Sequence, residues 1–214
     1  EVLFSTKVSK TFFDMWTPSF LVSVNDTELA GFGPTEFDKF RIATRVWRAE
    51  HQSDFSLTDF DTVTLGYEYE VQEGKNVGEF DKTFWNNSMF FQNQIELFES
   101  LNWTAGLRYD DYSTFGNNLT YRTTASYNIE EIGTRFHGSW GKGFRAPSLN
   151  ELFFPFYGNP NLSPEESKGW DFGVEKEILK DKLTMDVTYF ENDFTNLITA
   201  AIQPDGSFLA ENVA

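Results

Sequence analysis

Residues 62–71 read Thr-Val-Thr-Leu-Gly-Tyr-Glu-Tyr-Glu-Val. In an extended chain Val63, Leu65, Tyr67, Tyr69 and Val71 share one side, and Thr62, Thr64, Gly66, Glu68 and Glu70 share the other. Side chains alternate with period two along a strand, so one face is apolar and the other polar. The pattern recurs along the chain. Leu101-Trp103-Ala105-Leu107-Tyr109 opposes Thr104, Gly106, Arg108 and Asp110. Leu119-Tyr121-Thr123-Ala125-Tyr127-Ile129 opposes Thr120, Arg122, Thr124, Ser126 and Asn128. Phe136 and Trp140 oppose Arg135, His137 and Ser139; Trp170-Phe172-Val174 opposes Asp171, Gly173 and Glu175; Leu183-Met185-Val187-Tyr189 opposes Thr184, Asp186 and Thr188. Weaker alternation marks Phe20-Val22-Val24, Phe40-Ile42-Val46 and Met89-Phe91-Ile95, and no helical period competes. With a lead-in strand near residues 2–13 and a last one near 207–214, this gives about eleven strands, each long enough to cross a bilayer when tilted.

Composition supports two-faced strands. Mean hydropathy is -0.43, yet aromatic residues make up 18% of the 214 residues, including 24 Phe. Such a load excludes an acidic disordered chain. No apolar run approaches the roughly 18–20 residues of a membrane helix. Glu1-Val2-Leu3-Phe4 has neither the basic start nor the apolar core of an export leader, so an exported protein would have lost its leader. A net charge of -16 excludes a nucleic-acid partner, which needs a basic footprint. Acids gather at Asp26, Glu28, Glu36 and Asp38, and at Glu73, Glu79 and Asp81, as a solvated surface or else as loops that attract cations or cationic ligands. Cysteine is absent, which excludes disulfides and thiolate metal sites.

The connections sort into two kinds. Those near Asp14–Pro18, Phe98–Ser100, Glu130–Gly133 and Leu179–Lys182 are short. Those at Asp26–Asp38, Glu73–Lys82, Ser113–Asn118 and Phe144–Lys168 read as longer and richer in Gly, Pro, Asn and acids; Gln52–Phe60 is intermediate. Short and long largely alternate, as in barrels with short periplasmic turns and long extracellular loops. Charges on the polar faces would each cost roughly 2–4 kcal/mol against lipid near the midplane, but can pair across strands in a lumen. Trp16 and Trp103 fall near short turns and Trp85 and Trp170 on the long-loop side, where interfacial girdles belong. The expected fold is therefore all-β: an antiparallel transmembrane β-barrel meander.

Residues 141–153 read Gly-Lys-Gly-Phe-Arg-Ala-Pro-Ser-Leu-Asn-Glu-Leu-Phe, and 158–167 read Gly-Asn-Pro-Asn-Leu-Ser-Pro-Glu-Glu-Ser. This pair of motifs resembles the hallmark stretch of TonB-dependent outer-membrane receptors, the family of siderophore and cobalamin transporters. The likeness is strongest over residues 134–214 and is one of pattern upstream. It implies a 22-stranded barrel of which residues 1–214 form a partial barrel domain, truncated at both ends, with the plug domain absent. It implies uptake of a scarce nutrient across the bacterial outer membrane, lipid around the wall, and a TonB energy transducer engaged through the plug region. No cofactor is implied.

Within the motif, Gly141 and Gly143 let a strand bend at the rim. Pro147 stops ladder pairing and Asn159-Pro160 sets a turn. Glu165 and Glu166 are placed to fix the loop through Lys168 or Arg145. Gly143, Phe144, Arg145, Ala146, Pro147, Glu151, Gly158, Asn159, Pro160, Leu162, Pro164 and Glu165 are thus expected to build a scaffold. Phe153, Phe154, Phe156 and Tyr157 are the candidate capture surface for a bulky nutrient, or else the packing that holds the loops.

Two other classes share some of these features. His137-x-Ser139 has the spacing of the catalytic pair in outer-membrane phospholipases, but Phe136 and Trp140 claim the lipid side of that strand. A soluble all-β carbohydrate-binding module would also suit aromatics and acidic loops. His51 and His137, the only histidines, are too few for a histidine metal cluster. Asp110-Asp111 reads as strand-end solvation, and no glycine loop suggests a nucleotide. No catalytic residue is expected.

Overall fold

The computed structural model describes residues 1–33, 39–76, 80–154 and 157–213. Ten strands form one antiparallel sheet in chain order, each paired with its sequence neighbours: β1 (Val2–Ser9), β2 (Trp16–Phe32), β3 (Lys39–Thr58), β4 (Asp61–Asn76), β5 (Phe80–Leu97), β6 (Leu101–Tyr112), β7 (Gly116–Ile129), β8 (Thr134–Arg145), β9 (Glu165–Leu179) and β10 (Leu183–Thr195). Two further strands, β11 (Leu197–Ile202) and β12 (Phe208–Val213), pair only with each other. The described residues therefore form a ten-strand meander plus a hairpin, where alternation alone gives about eleven strands. A short helix, α1 (Leu149–Phe153), interrupts the β8–β9 connection.

Several expected connections are strand. β2 and β3 pair from Trp16↔Phe55 to Phe32↔Lys39, far past Asp26, and β4 and β5 pair up to Asn76↔Phe80. The acids there are held in register by cross-strand partners: Arg45 with Asp26 (2.6 Å), Arg41 with Glu28 (2.9 Å) and Lys75 with Asp81 (3.2 Å). Opposite charges directly across a ladder stabilise it. Much of Gln52–Phe60 is likewise strand, since β3 runs to Thr58 and β4 resumes at Asp61. The Ser113–Asn118 connection shrinks to the three residues between Tyr112 and Gly116. Glu36 and Asp38 lie outside the described residues, as does Glu79.

Registers assign the faces. The outward row holds Trp16–Val24 on β2, Trp47–Phe55 on β3, Val63–Val71 on β4 and Leu101–Tyr109 on β6, each read at alternate residues. These uncharged bands match the roughly 9–11 residues that a tilted strand needs to cross a bilayer. Asp26, Arg45 and Glu73 follow directly above the bands on β2, β3 and β4. All of the tryptophans occupy this face, with Trp47, Trp85, Trp103, Trp140 and Trp170 exposed and Trp16 half-buried. On β8 to β10 the band is narrower, because Lys142, Lys168 and Glu191 share the outward parity.

The inward row is where the charges pair. Arg108 donates to Glu68 (2.7 Å), Asp110 (3.0 Å) and Ser88 (2.7 Å), and Asn86 donates to Asp110 (3.0 Å). Arg48 joins the same group through Glu70 (2.6 Å) and Glu68 (3.4 Å). Glu68, Asp110 and Ser88 are buried, although the sheet has only one layer, because this network covers them. Charged groups shielded from water are tolerable when paired and hydrogen-bonded. The deepest polar residues are thus luminal, and the large apolar side chains face outward. This is the inverse of a soluble protein.

Candidate functional site

The long β8–β9 connection builds the rim opposite the short turns. Arg145, the last residue of β8, is its hub. Its guanidinium grips Glu165 at the start of β9 (Nε to Oε2, 2.7 Å; Nη2 to Oε1, 2.6 Å) and Glu151 in α1 (Nη1 to Oε2 and Nη2 to Oε1, both 3.0 Å). Planar bidentate geometry suits arginine and not lysine. The Arg145 fork holds the Glu165 carboxyl down at about 2, helped by the Ile198 backbone N–H (2.7 Å). The two acids in turn push the Arg145 guanidinium up. Glu166 takes Lys142 Nζ at 2.9 Å, and its carboxyl is lowered chiefly by that bond. The sequence expected Arg145 to serve this acidic pair; it did not single out Lys142.

Helix α1 starts at a capping box. Ser148 Oγ accepts the Glu151 N–H (3.3 Å), and the Glu151 carboxylate accepts the Ser148 N–H (2.8 Å) and hydroxyl (2.9 Å). Ser148-x-x-Glu151 was readable as this signal, but five residues are too few to show helical periodicity. Glu151 therefore both caps α1 and anchors it to Arg145.

Helix α1 lies across the mouth. Leu149 is buried against Gly74 of β4, where any Cβ would collide with its Cδ1. The Phe153 ring sits 5.9 Å from both Phe80 and Phe84 of β5, with Lys82 Nζ 5.4 Å from its centroid. Gly74, Phe80, Lys82 and Phe84 all have the inward parity. A connection leaving β8 thus touches the inner wall four strands away, which requires the sheet to curve with that wall concave.

Behind α1, Leu152, Leu162 and Ala210 are buried together, with Phe84, Phe115, Phe153, Tyr157 and Ile198 packed around them. The β11–β12 hairpin closes this core. Ala210 N–H donates to Tyr157 O (2.8 Å), Asn159 Nδ2 donates to Ala210 O (2.9 Å), and Asn212 joins Ser163 O (2.9 Å) and Asn196 O (2.7 Å). Gly158 is the close-approach position: a Cβ there would lie 2.6 Å from the backbone nitrogens of Phe153 and Phe154. Of the candidate capture residues, Phe153, Phe154 and Tyr157 are half-buried, and Phe156 lies outside the described residues. Phe153 and Tyr157 belong to the loop's own core. Ala146 and Pro147 lead from β8 into α1 outside the ladder, with Pro147 buried.

The His137-x-Ser139 pair faces inward, and its members bond to different acids. His137 Nε2 lies 2.8 Å from Asp186 Oδ2, and Ser139 donates to Asp171. A second His-x-Ser spacing, unremarked in the sequence, lies on the outward face. There Ser53 Oγ accepts the Trp16 indole N–H (3.1 Å) and sits 3.3 Å from His51 Nε2, while His51 Nδ1 contacts Ser19 O (3.2 Å). These polar atoms satisfy one another where no water is at hand. Among the described residues, no three His, Asp or Glu side chains converge as a metal site.

Comparison with known proteins fits this geometry. The family model for the TonB dependent receptor-like β-barrel matches residues 5–214. A vitamin B12 transporter, BtuB, from Photobacterium profundum is 27% identical over 94% of the chain, which spans 33% of that relative's length. The crystal structure of the siderophore receptor PirA from Pseudomonas aeruginosa superposes with a TM-score of 0.82 at 23% identity, over 98% of this chain and 41% of that one. The copper transporter OprC gives a TM-score of 0.78 at 14% identity, over 99% and 42%. The chain therefore spans well under half of the relatives it resembles. With its membrane-height outward bands, its luminal ion pairs and a family match over nearly its whole length, the chain belongs to the TonB-dependent receptor-like β-barrel family of bacterial outer-membrane proteins.

Proposed function

We propose that this chain is part of the barrel of an outer-membrane receptor that takes up a scarce nutrient, such as an iron–siderophore complex or cobalamin, by energy-coupled transport. On this reading the remainder of the barrel and a luminal plug lie in sequence outside residues 1–214, and the plug engages the TonB energy transducer. The protein acts as a receptor and not as an enzyme.

The observation that carries the reading is the seating of α1 on the inner wall, Leu149 against Gly74 and Phe153 against Phe80 and Phe84. A connection that returns over the mouth narrows the entrance and brings Phe153, Phe154 and Tyr157 near incoming solute, while Phe156, the fourth candidate, lies outside the described residues. Half-buried aromatics on such a rim suit capture of a bulky ligand, and their other sides hold the loop together. Siderophore, cobalamin and copper transporters among the relatives all use this wall, so selectivity belongs to the loops and to whatever fills the lumen.

The test is uptake by the full-length protein in a bacterium lacking its own receptors. Labelled iron–siderophore complexes, cobalamin and copper are offered with the energy transducer present or deleted. Transducer-dependent accumulation of one cargo is expected. A folded barrel that accumulates none, or one whose uptake ignores the transducer, would overturn the reading.

A further inference from the structure

Two of the short turns are built alike and carry a residue that their geometry disfavours. Met15 N–H donates to Phe12 O and Ser100 N–H to Leu97 O, both at 3.2 Å, so Phe13-Asp14 and Phe98-Glu99 are the central pairs of tight turns. All four central residues have left-handed backbone, with φ of 55° for Phe13, Asp14 and Phe98 and 57° for Glu99. Such turns ordinarily take Asn or Gly, because a bulky side chain crowds the backbone at positive φ. Here the first place in each is Phe, and the two residues are 88% and 89% exposed. Neither backbone preference nor packing within the described residues accounts for them. The β3–β4 and β7–β8 turns repeat the pairing, with exposed Phe60 and Ile132 beside Asp59 and Glu131. Among the described residues no salt bridge engages Asp14, Asp59, Glu99 or Glu131.

We propose that Phe13 and Phe98 anchor the short-turn end in the membrane interface, and that the acids beside them select a phospholipid whose headgroup carries a primary ammonium. The inference goes beyond uptake and rests on the membrane-spanning wall, whichever nutrient is carried. Position argues for lipid and against water. On β2 the uncharged outward band starts at Trp16, opposite Phe12, and ends before Asp26. On β6 it starts at Leu101, opposite Leu97, and ends before Asp111. Each band has the length of the hydrocarbon layer, so the Phe12–Trp16 and Leu97–Leu101 rungs stand at its short-turn edge. Phe13 and Phe98 follow those rungs by one residue, about 3.4 Å of chain. The headgroup layer is roughly 5–7 Å deep on each side, so both residues lie within it. An apolar ring there reaches the acyl boundary while the neighbouring carboxylate meets headgroup charge. Four unpaired acids along the turns repel an anionic headgroup and attract an ammonium.

The full-length receptor in vesicles of phosphatidylethanolamine and phosphatidylglycerol tests both halves. With Phe98 replaced by 4-fluorophenylalanine, fluorine relaxation is measured with oxygen, which concentrates in lipid, and with a water-soluble nickel chelate. The oxygen-to-nickel ratio is expected to exceed that of the free amino acid in water. A ratio equal to that of the free amino acid would overturn the anchor. Shielding from both agents would overturn it too, because protein and not lipid would then cover the ring. Spin-labelled phosphatidylethanolamine is expected to be enriched at the wall about threefold over spin-labelled phosphatidylglycerol. Asp14→Asn, Asp59→Asn, Glu99→Gln and Glu131→Gln together are expected to abolish that preference, at exposed positions where folding is little affected. An absent preference in the parent, or an unchanged one in the variant, would overturn the lipid selection. Neither measurement involves nutrient or energy transducer, so failure of the uptake reading would not mimic these results.

Discussion

Arg145 and Glu165 close the open ends of β8 and β9 with two parallel bonds of 2.7 and 2.6 Å, and the same guanidinium holds Glu151 of α1. One side chain thereby ties two strands and a helix. We expect Arg145→Ala to release the β8–β9 connection while the sheet persists, at a local cost of about 1–3 kcal/mol, since it leaves two half-buried carboxylates unpaired. Arg145→Lys should recover only part of this, because an ammonium cannot fork. Limited proteolysis within residues 146–164, with barrel integrity followed by heat-modifiable gel mobility, reads both.

The same contact carries a pH dependence. The folded-state Glu165 carboxyl lies at about 2, below its unfolded value, so its contribution is present above the unfolded value. It falls away as pH drops from about 4.5 toward 2. Protease sensitivity of this connection should rise across that window and stay flat from neutral pH down to about 5. A transition centred near pH 6.5 would point to histidine instead.

Gly158 admits no side chain, since a Cβ would meet two backbone nitrogens at 2.6 Å. Gly158→Ala should displace α1 from the Leu152–Leu162 core and lower the stability of the rim by about 1–3 kcal/mol. Exchange of the Phe153 and Phe154 amides should accelerate, while amides of β6 stay protected.

In the luminal network, Arg108 alone bridges Glu68 and Asp110. Arg108→Leu would leave buried Asp110 with no cation and buried Glu68 with only Arg48 at 3.4 Å, and should cost about 3–5 kcal/mol. Exchanging Glu68→Gln and Asp110→Asn in the same protein should return most of that loss. Urea titration of the folded barrel compares the three proteins.

Ser53 is the polar keystone of the outward face, taking the Trp16 indole N–H beside His51. Ser53→Ala keeps close to the same volume but removes the acceptor, which should cost about 1–3 kcal/mol because lipid offers no replacement. Ser53→Thr should be nearly neutral, and the same titration distinguishes them.

The faces were legible because lipid permits so little charge: Glu68 and Glu70 could only be luminal, and Val63 to Val71 only outward. The rim was legible only in part. The Asp26–Asp38 and Glu73–Lys82 stretches read as loops because their acids were counted singly, while the structure pairs Asp26 with Arg45 and Lys75 with Asp81 across strands. Such partners face each other across a turn, nineteen and six residues apart, and carry no period. Helix α1 and the β11–β12 hairpin escaped for the same reason. Each is stabilised by distant partners, Leu149 by Gly74 and Ala210 by Tyr157, and not by a pattern of its own. Arg145 and Glu165 were found from their motif, but Glu151's double role needed the fold.

The most direct test of the two-faced wall compares adjacent residues of β6. Spin labels at Leu107 and Arg108 of the full-length receptor in bilayers are probed with oxygen, which concentrates in lipid, and with a water-soluble nickel chelate. Leu107 is exposed on the outward face, and Arg108 is committed to Glu68 on the inward one. A two-faced wall requires high oxygen accessibility at 107 and low oxygen accessibility at 108, with the order repeated at Tyr121 and Arg122. Equal lipid accessibility at the two members of each pair would contradict it.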